Sequence, residues 1–358
     1  MHNGARSKDA GRGERGAAAR AAHRAAGEAG GGAGGGGPLV TVPGVQVRVP
    51  GSTSNVGAGF DCVGIAIERR LSATFRVDRA LGAPVRVERR GTLQAVTVPS
   101  DRDWLFAGFV AACRGAGCKV PGGVMIDAAS EIPIGRGLGS SGAATVAGAL
   151  AARALLGLEL DDAALARLCA DVEHHPDNVA PAIYGGAVLA VPGPEGRLTV
   201  APLEVHGSLV FVFAVPDFAV ETEQARAALP STVSHRTAAT AAAKAAALVA
   251  GLARADAPLL AAALDDVLHA PHRRSLVRGY DAVTAAARAA GAFGATLSGS
   301  GSSILAVTPA FAAKAVATTM ARVWGALDVT AETFVIERPA SRYDVTSLTQ
   351  ETLPCPSR

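Results

Sequence analysis

Arg136-Gly-Leu-Gly-Ser-Ser-Gly142 sets Gly137, Gly139 and Gly142 at the mouth of an alanine-rich run, Ser140–Leu156, that stops at Gly157. Alanine and leucine favour helix and glycine ends it, so the local order is a tight loop and then a helix. The glycines spell G-x-G-x-x-G. A dinucleotide fingerprint, however, needs a strand running straight into the first glycine and an acid closing a second strand about 20 positions on. Pro133 separates the strand candidate Val124–Asp127 from the glycines, and "LELDDAALARL" (Leu158–Leu168) reads as a turn and helix start. No G-x-x-x-x-G-K-[ST] occurs, which excludes a Walker A loop. In what remains, Gly135, Gly137 and Gly139 let backbone N–H groups approach an anion, and Ser140 and Ser141 add hydroxyls. The helix N-terminus adds partial positive charge. A polyphosphate would be stabilised there; a plain helix N-cap with close helix packing is the other reading of the same residues.

Length permits a large core and two domains, for the chain has 358 residues. Hydrophobic residues make up 49%, yet no uncharged apolar run of about 18 residues offers a membrane span, and a soluble protein is expected. Residues 1–38 are mostly Gly, Ala and Arg, a composition that cannot bury enough surface to fold and that holds no apolar secretory core. A disordered tail is expected. Its six Lys/Arg and three acids carry +3, the formal net charge of the whole chain, so the folded part is near neutral and no nucleic-acid partner is expected. Five scattered cysteines without a C-x-x-C pair indicate neither a zinc site nor a disulfide framework, and fit a reduced cytoplasmic compartment.

Strand patterns at Val45–Pro50, Thr74–Val77, Val85–Glu88, Ala187–Val191 and Leu209–Val215 alternate with the glycine loop and two helices, the second capped by Asp161 or Asp162 over Ala163–Val172. After Asp217 come helices at Thr237–Ala253, Pro258–Leu268 and Tyr280–Ala290. A strand, glycine turn and strand follow across Ala295–Val307, then a strand at Asp328–Val335 and loose polar residues. The chain is expected to be α+β, with domains at 39–207 and 208–340 and a tail at 341–358.

Three further clusters carry chemistry. "PGSTSNVGAGFD" (Pro50–Asp61) shapes a loop around Ser52, Ser54, Asn55 and Asp61, suited to a small hydroxylated ligand. "EHHPDN" (Glu173–Asn178) packs acids, imidazoles and an amide at a helix end; adjacent His174 and His175 point apart, which leaves Glu173 as the better holder of a hard cation. "LSGSGSSI" (Leu297–Ile304) permits close backbone approach. Each alone could equally be a turn or a capped helix.

In chain order, "PGSTSNVGAGFD", "IPIGRGLGSSGAA" (Ile132–Ala144) and "TLSGSGSSI" resemble the three motifs of the GHMP kinases. Within them, the "HPDNVAPAIYGG", "TEQARAALP" and "HAPHR" blocks are similar to the homoserine kinases, over roughly residues 45–335. The resemblance implies a ribosomal protein S5 domain 2-like first domain with a βαβ crossover, a ferredoxin-like second domain, and transfer of a phosphoryl group from ATP to L-homoserine. It also implies a cytoplasmic homodimer. By the same resemblance Pro133, Ile134, Gly135, Arg136, Gly137, Leu138, Gly139, Ser140, Ser141, Gly142 and Ala143 wrap the triphosphate, and Ser141 and Glu173 hold Mg²⁺. Asn55 orients the acceptor hydroxyl. Asn55, Asp61, His175 and Asp177 match the substrate pocket, and Arg226 and Arg273 the carboxylate clamp. An acid for an ammonium and guanidinium forks for a carboxylate suit a zwitterion.

Five positions depart from the family pattern: His174 for glycine, Asp103 for asparagine near the base, Arg278 and Ser302 for prolines, and His272 for tyrosine. Another acceptor (mevalonate, a sugar or a diphosphocytidyl polyol) or a non-catalytic binding protein of the same fold are the alternative readings.

Overall fold

The computed structural model describes residues 43–348 and Leu353; the expected tail at 1–38 and the end of the chain, apart from Leu353, lie outside them. Chain order is β1 (Gly44–Asn55), β2 (Gly59–Val77), β3 (Val85–Gly91), α1 (Trp104–Gly115), β4 (Val124–Ser130), α2 (Ser140–Leu156), α3 (Asp162–Glu173), α4 (Val179–Tyr184), β5 (Ala187–Pro192) and β6 (Leu198–Leu203). It continues through β7 (Leu209–Pro216), α5 (Thr222–Ala227), α6 (His235–Arg254), α7 (Ala257–Leu264), α8 (Ala270–Arg273), α9 (Tyr280–Ala289), β8 (Gly294–Leu297), β9 (Ile304–Pro309), α10 (Ala313–Gly325), β10 (Ala331–Ile336) and β11 (Asp344–Ser347).

The first sheet runs β11-β1-β2-β4-β3, with β5 paired to β2 and β6 to β5. Its single parallel pair, β3 with β4, is joined through α1, which is the βαβ crossover of the S5-like domain. The second sheet, β10-β7-β9-β8, is antiparallel throughout and has the ferredoxin-like strand order.

Side-chain alternation explains the unbroken apolar run of β7. Phe211, Phe213 and Val215 pack into the cluster shared with the first sheet, while Val210, Val212 and Ala214 pack with Val316, Met320 and Trp324. Both faces are covered, so neither alternates with polar residues. The alanine-rich α2 is almost wholly buried. It crosses α1 so closely that a methyl on Gly148 would lie 1.9 Å from the Leu105 carbonyl oxygen. Small side chains thus fix the helix that carries the glycine loop.

Two features were not read from the sequence. The closing polar residues contain a strand, β11, antiparallel to β1, and Arg70 and Tyr343 pin the segment through Ser341 Oγ (2.8 Å) and Asp162 (2.8 Å). Cys62, Cys113 and Cys169 are free thiols and Cys118 is disulfide-bonded, a pairing that the scattered cysteine spacing did not indicate. No helix among the described residues is long and apolar enough to cross a membrane.

Candidate active site

The three glycine-rich segments meet at one place. Ser52 N–H donates to the Leu138 carbonyl (3.1 Å), Ser298 Oγ to the Gly137 carbonyl (2.6 Å), and Gly299 N–H to the Ser54 carbonyl (3.0 Å). Gly137 and Gly139 have φ of 68° and 71°, where a side chain is strained. A methyl at Gly137 would lie 2.0 Å from the Ser298 oxygen, and one at Gly139 2.1 Å from Ser52 Oγ. These glycines therefore admit the neighbouring loops as well as a ligand. Gly139 is the N-cap of α2 without a side-chain cap bond, so the first-turn N–H groups are left for an anion.

A cleft of about 380 Å³ opens over this junction. Residues 133–141 of the loop line it, but Gly142 and Ala143 do not: Gly142 faces Asn178, and Ala143 is buried with its N–H donated to the Gly139 carbonyl (2.9 Å). Arg136 also departs from a phosphate-facing role. Its guanidinium donates to the carbonyls of Ile134 (3.0 Å), Pro216 (2.9 Å) and Asp217 (2.8 Å), and burial lowers its pKa. An apolar part of the lining, Leu93, Val96, Val98 and the half-exposed Trp104, was not foreseen from the sequence. Asp103 beside it caps α1 by accepting from Leu105 N–H (2.9 Å) and pairs with Arg89 at 2.7 Å, so both its oxygens have structural partners.

Polar residues gather in the rest of the cleft. Asn55 donates from Nδ2 to the Gly299 carbonyl (2.8 Å) and accepts Asp61 N–H at Oδ1 (3.0 Å). Asn55, Val56 and Asp61 all have positive φ (70°, 46° and 55°), a concentration of backbone strain held by these contacts. Arg226 grips the Asp61 carboxylate with both terminal nitrogens, at 3.1 and 3.3 Å. The two expected ligand charges thus neutralise each other in the free protein. Arg273 is buried against Phe60, its guanidinium carbon 5.3 Å from the ring centroid, and donates from Nε to the Ala225 carbonyl (3.0 Å). Burial first, then the Arg226 charge, lowers its pKa.

His175 Nδ1 lies 2.9 Å from Asp177 Oδ1. Burial alone would lower the imidazole pKa, but the Asp177 hydrogen bond and charge, with Glu173, leave it raised. Asn178, within "EHHPDN" but given no role from the sequence, joins the loops: it donates to Ser54 Oγ (3.1 Å) and accepts from Ser52 Oγ (2.9 Å).

Glu173 does not line the cleft; it sits buried behind Ser141. Its carboxylate accepts from Ser141 Oγ and Thr145 Oγ1, both at 2.8 Å, and burial raises its pKa against those bonds. Thr145 was missed, although its place four residues after Ser141 puts both hydroxyls on one helix face. The described residues contain no group of three or more His, Cys, Asp and Glu able to hold a metal. A hydroxyl and a carboxylate in contact nevertheless suit Mg²⁺, which takes few protein oxygens and completes its shell with phosphate and water. His174, next to Glu173, has φ of 65°, so the departure from glycine falls where glycine is favoured.

Comparison with known proteins agrees with this geometry. The family profile for the GHMP kinases N terminal domain matches residues 105–186 and that for the GHMP kinases C terminal matches 248–326. The chain is 39% identical to homoserine kinase of Trichormus variabilis, over 79% of this chain and 92% of that protein. It is 41% identical to the Gloeobacter violaceus homoserine kinase, over 78% and 92%. The crystal structure of homoserine kinase from Cytophaga hutchinsonii superposes with a TM-score of 0.75 at 30% identity, covering 85% of this chain and 97% of that one. L. major mevalonate kinase shares the fold at 16% identity and a TM-score of 0.60, over 82% of this chain and 96% of that one. Three motifs on one cleft and relatives matched over nearly their whole length lead to one statement: the chain belongs to the homoserine kinase family of the GHMP kinases.

Proposed function

We propose that this protein transfers the terminal phosphoryl group of ATP to the side-chain hydroxyl of L-homoserine, giving O-phospho-L-homoserine, the precursor of threonine. The observation that carries it is the pairing of one acid, Asp61, with two guanidiniums, Arg226 and Arg273, on a cleft shared with an uncapped helix N-terminus. A zwitterionic amino acid matches both charges, whereas mevalonate or a sugar would leave Asp61 and an arginine without ligand partners.

The nucleotide reading rests on loop 133–141, the α2 N-terminus and the apolar Val96, Val98 and Trp104. When bound, Mg²⁺ would be held by Ser141 and Glu173 and would neutralise triphosphate charge. Phosphoryl transfer through a loose transition state asks mainly for positioning, so a strong base is not required. Asn55, with one Nδ2 hydrogen beyond its Gly299 bond, can orient the acceptor hydroxyl. Asp177 is engaged at Oδ1 by His175, which gives it a role in shaping the pocket.

Arg226→Ala tests the acceptor. Loss of a charge-assisted clamp worth about 2 kcal/mol should raise the homoserine KM about 30-fold and leave the ATP KM unchanged. An unchanged homoserine KM sinks the proposed clamp. The reading also takes the protein to be a cytoplasmic homodimer, and light scattering tests the dimer.

A further inference from the structure

His269 belongs to none of the cleft contacts, yet it is fully buried beside them. It stands directly before α8, the four-residue helix that carries Arg273, and its carbonyl accepts Arg273 N–H at 3.0 Å. Its own N–H donates to the Asp266 carboxylate at 2.6 Å. Nε2 lies 3.1 Å from the Gly57 carbonyl oxygen. A carbonyl only accepts, so Nε2 carries the proton and Nδ1, which has no partner, is bare. The imidazole stacks on Phe60, with centroids 5.1 Å apart and planes at 19°. Phe60 is the ring that Arg273 approaches, and it immediately precedes Asp61.

One residue therefore joins both carriers of the expected acceptor charges: its side chain meets the 57–61 loop at Gly57 and Phe60, and its backbone holds α8. Burial, and then the Arg273 charge against the pull of Asp266, lowers the imidazole pKa, so the ring is a neutral strut.

We propose that His269 is a positioning residue of the acceptor site, fixing the separation of Asp61 from Arg273 and with it the length of amino acid that spans them. The proposal rests on the amino-acid acceptor reading and adds how the pocket measures its ligand. Leucine would fill similar volume without the donor to Gly57 or the planar face for Phe60. Glutamine would keep an N–H donor.

The test is steady-state kinetics of wild type, His269→Leu and His269→Gln, with L-homoserine and with L-serine, one methylene shorter. His269→Leu should raise the homoserine KM about tenfold, keep the ATP KM within about twofold, and weaken the preference for homoserine over serine. His269→Gln should recover most of the homoserine KM. A purely structural histidine would lower folded fraction or melting temperature and move neither KM selectively. Equal rises in both KM values, or a folded His269→Leu with wild-type homoserine KM, overturn the proposal. If His269→Leu does not fold, Phe60→Leu must show the same homoserine-selective rise or the proposal fails. Wild type without homoserine-dependent turnover refutes the function itself; normal wild-type turnover with unaltered variants refutes only the role of His269.

Discussion

Gly137→Ala probes the junction on which the site depends. At φ of 68°, alanine costs about 1–2 kcal/mol, partly offset by about 0.4–1 kcal/mol from a stiffer unfolded chain. The methyl would also lie 2.0 Å from the Ser298 oxygen and 2.8 Å from the Gly301 oxygen, contacts that backbone can relieve only by separating the loops. Separation forfeits the Ser298–Gly137 and Ser303–Arg136 hydrogen bonds, each about 1 kcal/mol. The expected destabilisation is about 3 kcal/mol, and a shift of about 1 Å in the triphosphate loop should lower kcat/KM about 100-fold. Gly157→Ala is the matched control: φ is 61° but nothing lies within 4 Å of the added methyl. It should cost about 1 kcal/mol and leave kcat/KM unchanged. Urea unfolding and initial-rate kinetics measure both quantities. If Gly137→Ala proves no worse than Gly157→Ala, the docking of the glycine loop on the third segment is not what shapes the site.

Other consequences follow from single residues. Glu173→Gln should raise the Mg²⁺ concentration for half-maximal turnover about tenfold, read by Mg²⁺ titration; no shift would move the metal elsewhere. His174→Gly relieves an exposed left-handed residue and should stabilise by about 0.5–1 kcal/mol in urea unfolding, with a loss of stability counting against the strain. His269 has its pKa lowered on folding, so the unfolded chain binds the extra proton. Its contribution to stability is therefore complete above the unfolded value of 6.5 and falls as pH drops below it. Unfolding free energy should decline from pH 7 to 5 by up to about 1.4 kcal/mol per unit from this group, and His269→Gln should flatten that slope.

Much of the fold was legible where caps and composition agree. The expected helix Ser140–Leu156 matches α2 residue for residue because glycines in left-handed conformation bound it at 139 and 157, and Asp161 caps α3 through Ala164 N–H. By contrast β2 extends over Gly59–Val77 where only Thr74–Val77 was read, since its turns come from bulged pairing with β1 and leave no pattern of their own. Helices α1 and α10 were not read: one is hydrophobic on most faces, and tertiary packing decides such segments.

At the site, the sequence carried the residue types but not who pairs with whom. Asp61 and Arg226 were assigned to opposite ends of a ligand, and in the free protein they hold each other. His269 looked unremarkable because its partners, Gly57 and Phe60, lie more than two hundred positions away.

ADP release from ATP and Mg²⁺ by the purified protein, offered L-homoserine beside mevalonate, galactose and no acceptor, tests the central claim most directly. Release that depends on L-homoserine and yields its phosphate monoester is the predicted result; release with another acceptor, or none with any acceptor despite bound ATP, would contradict it.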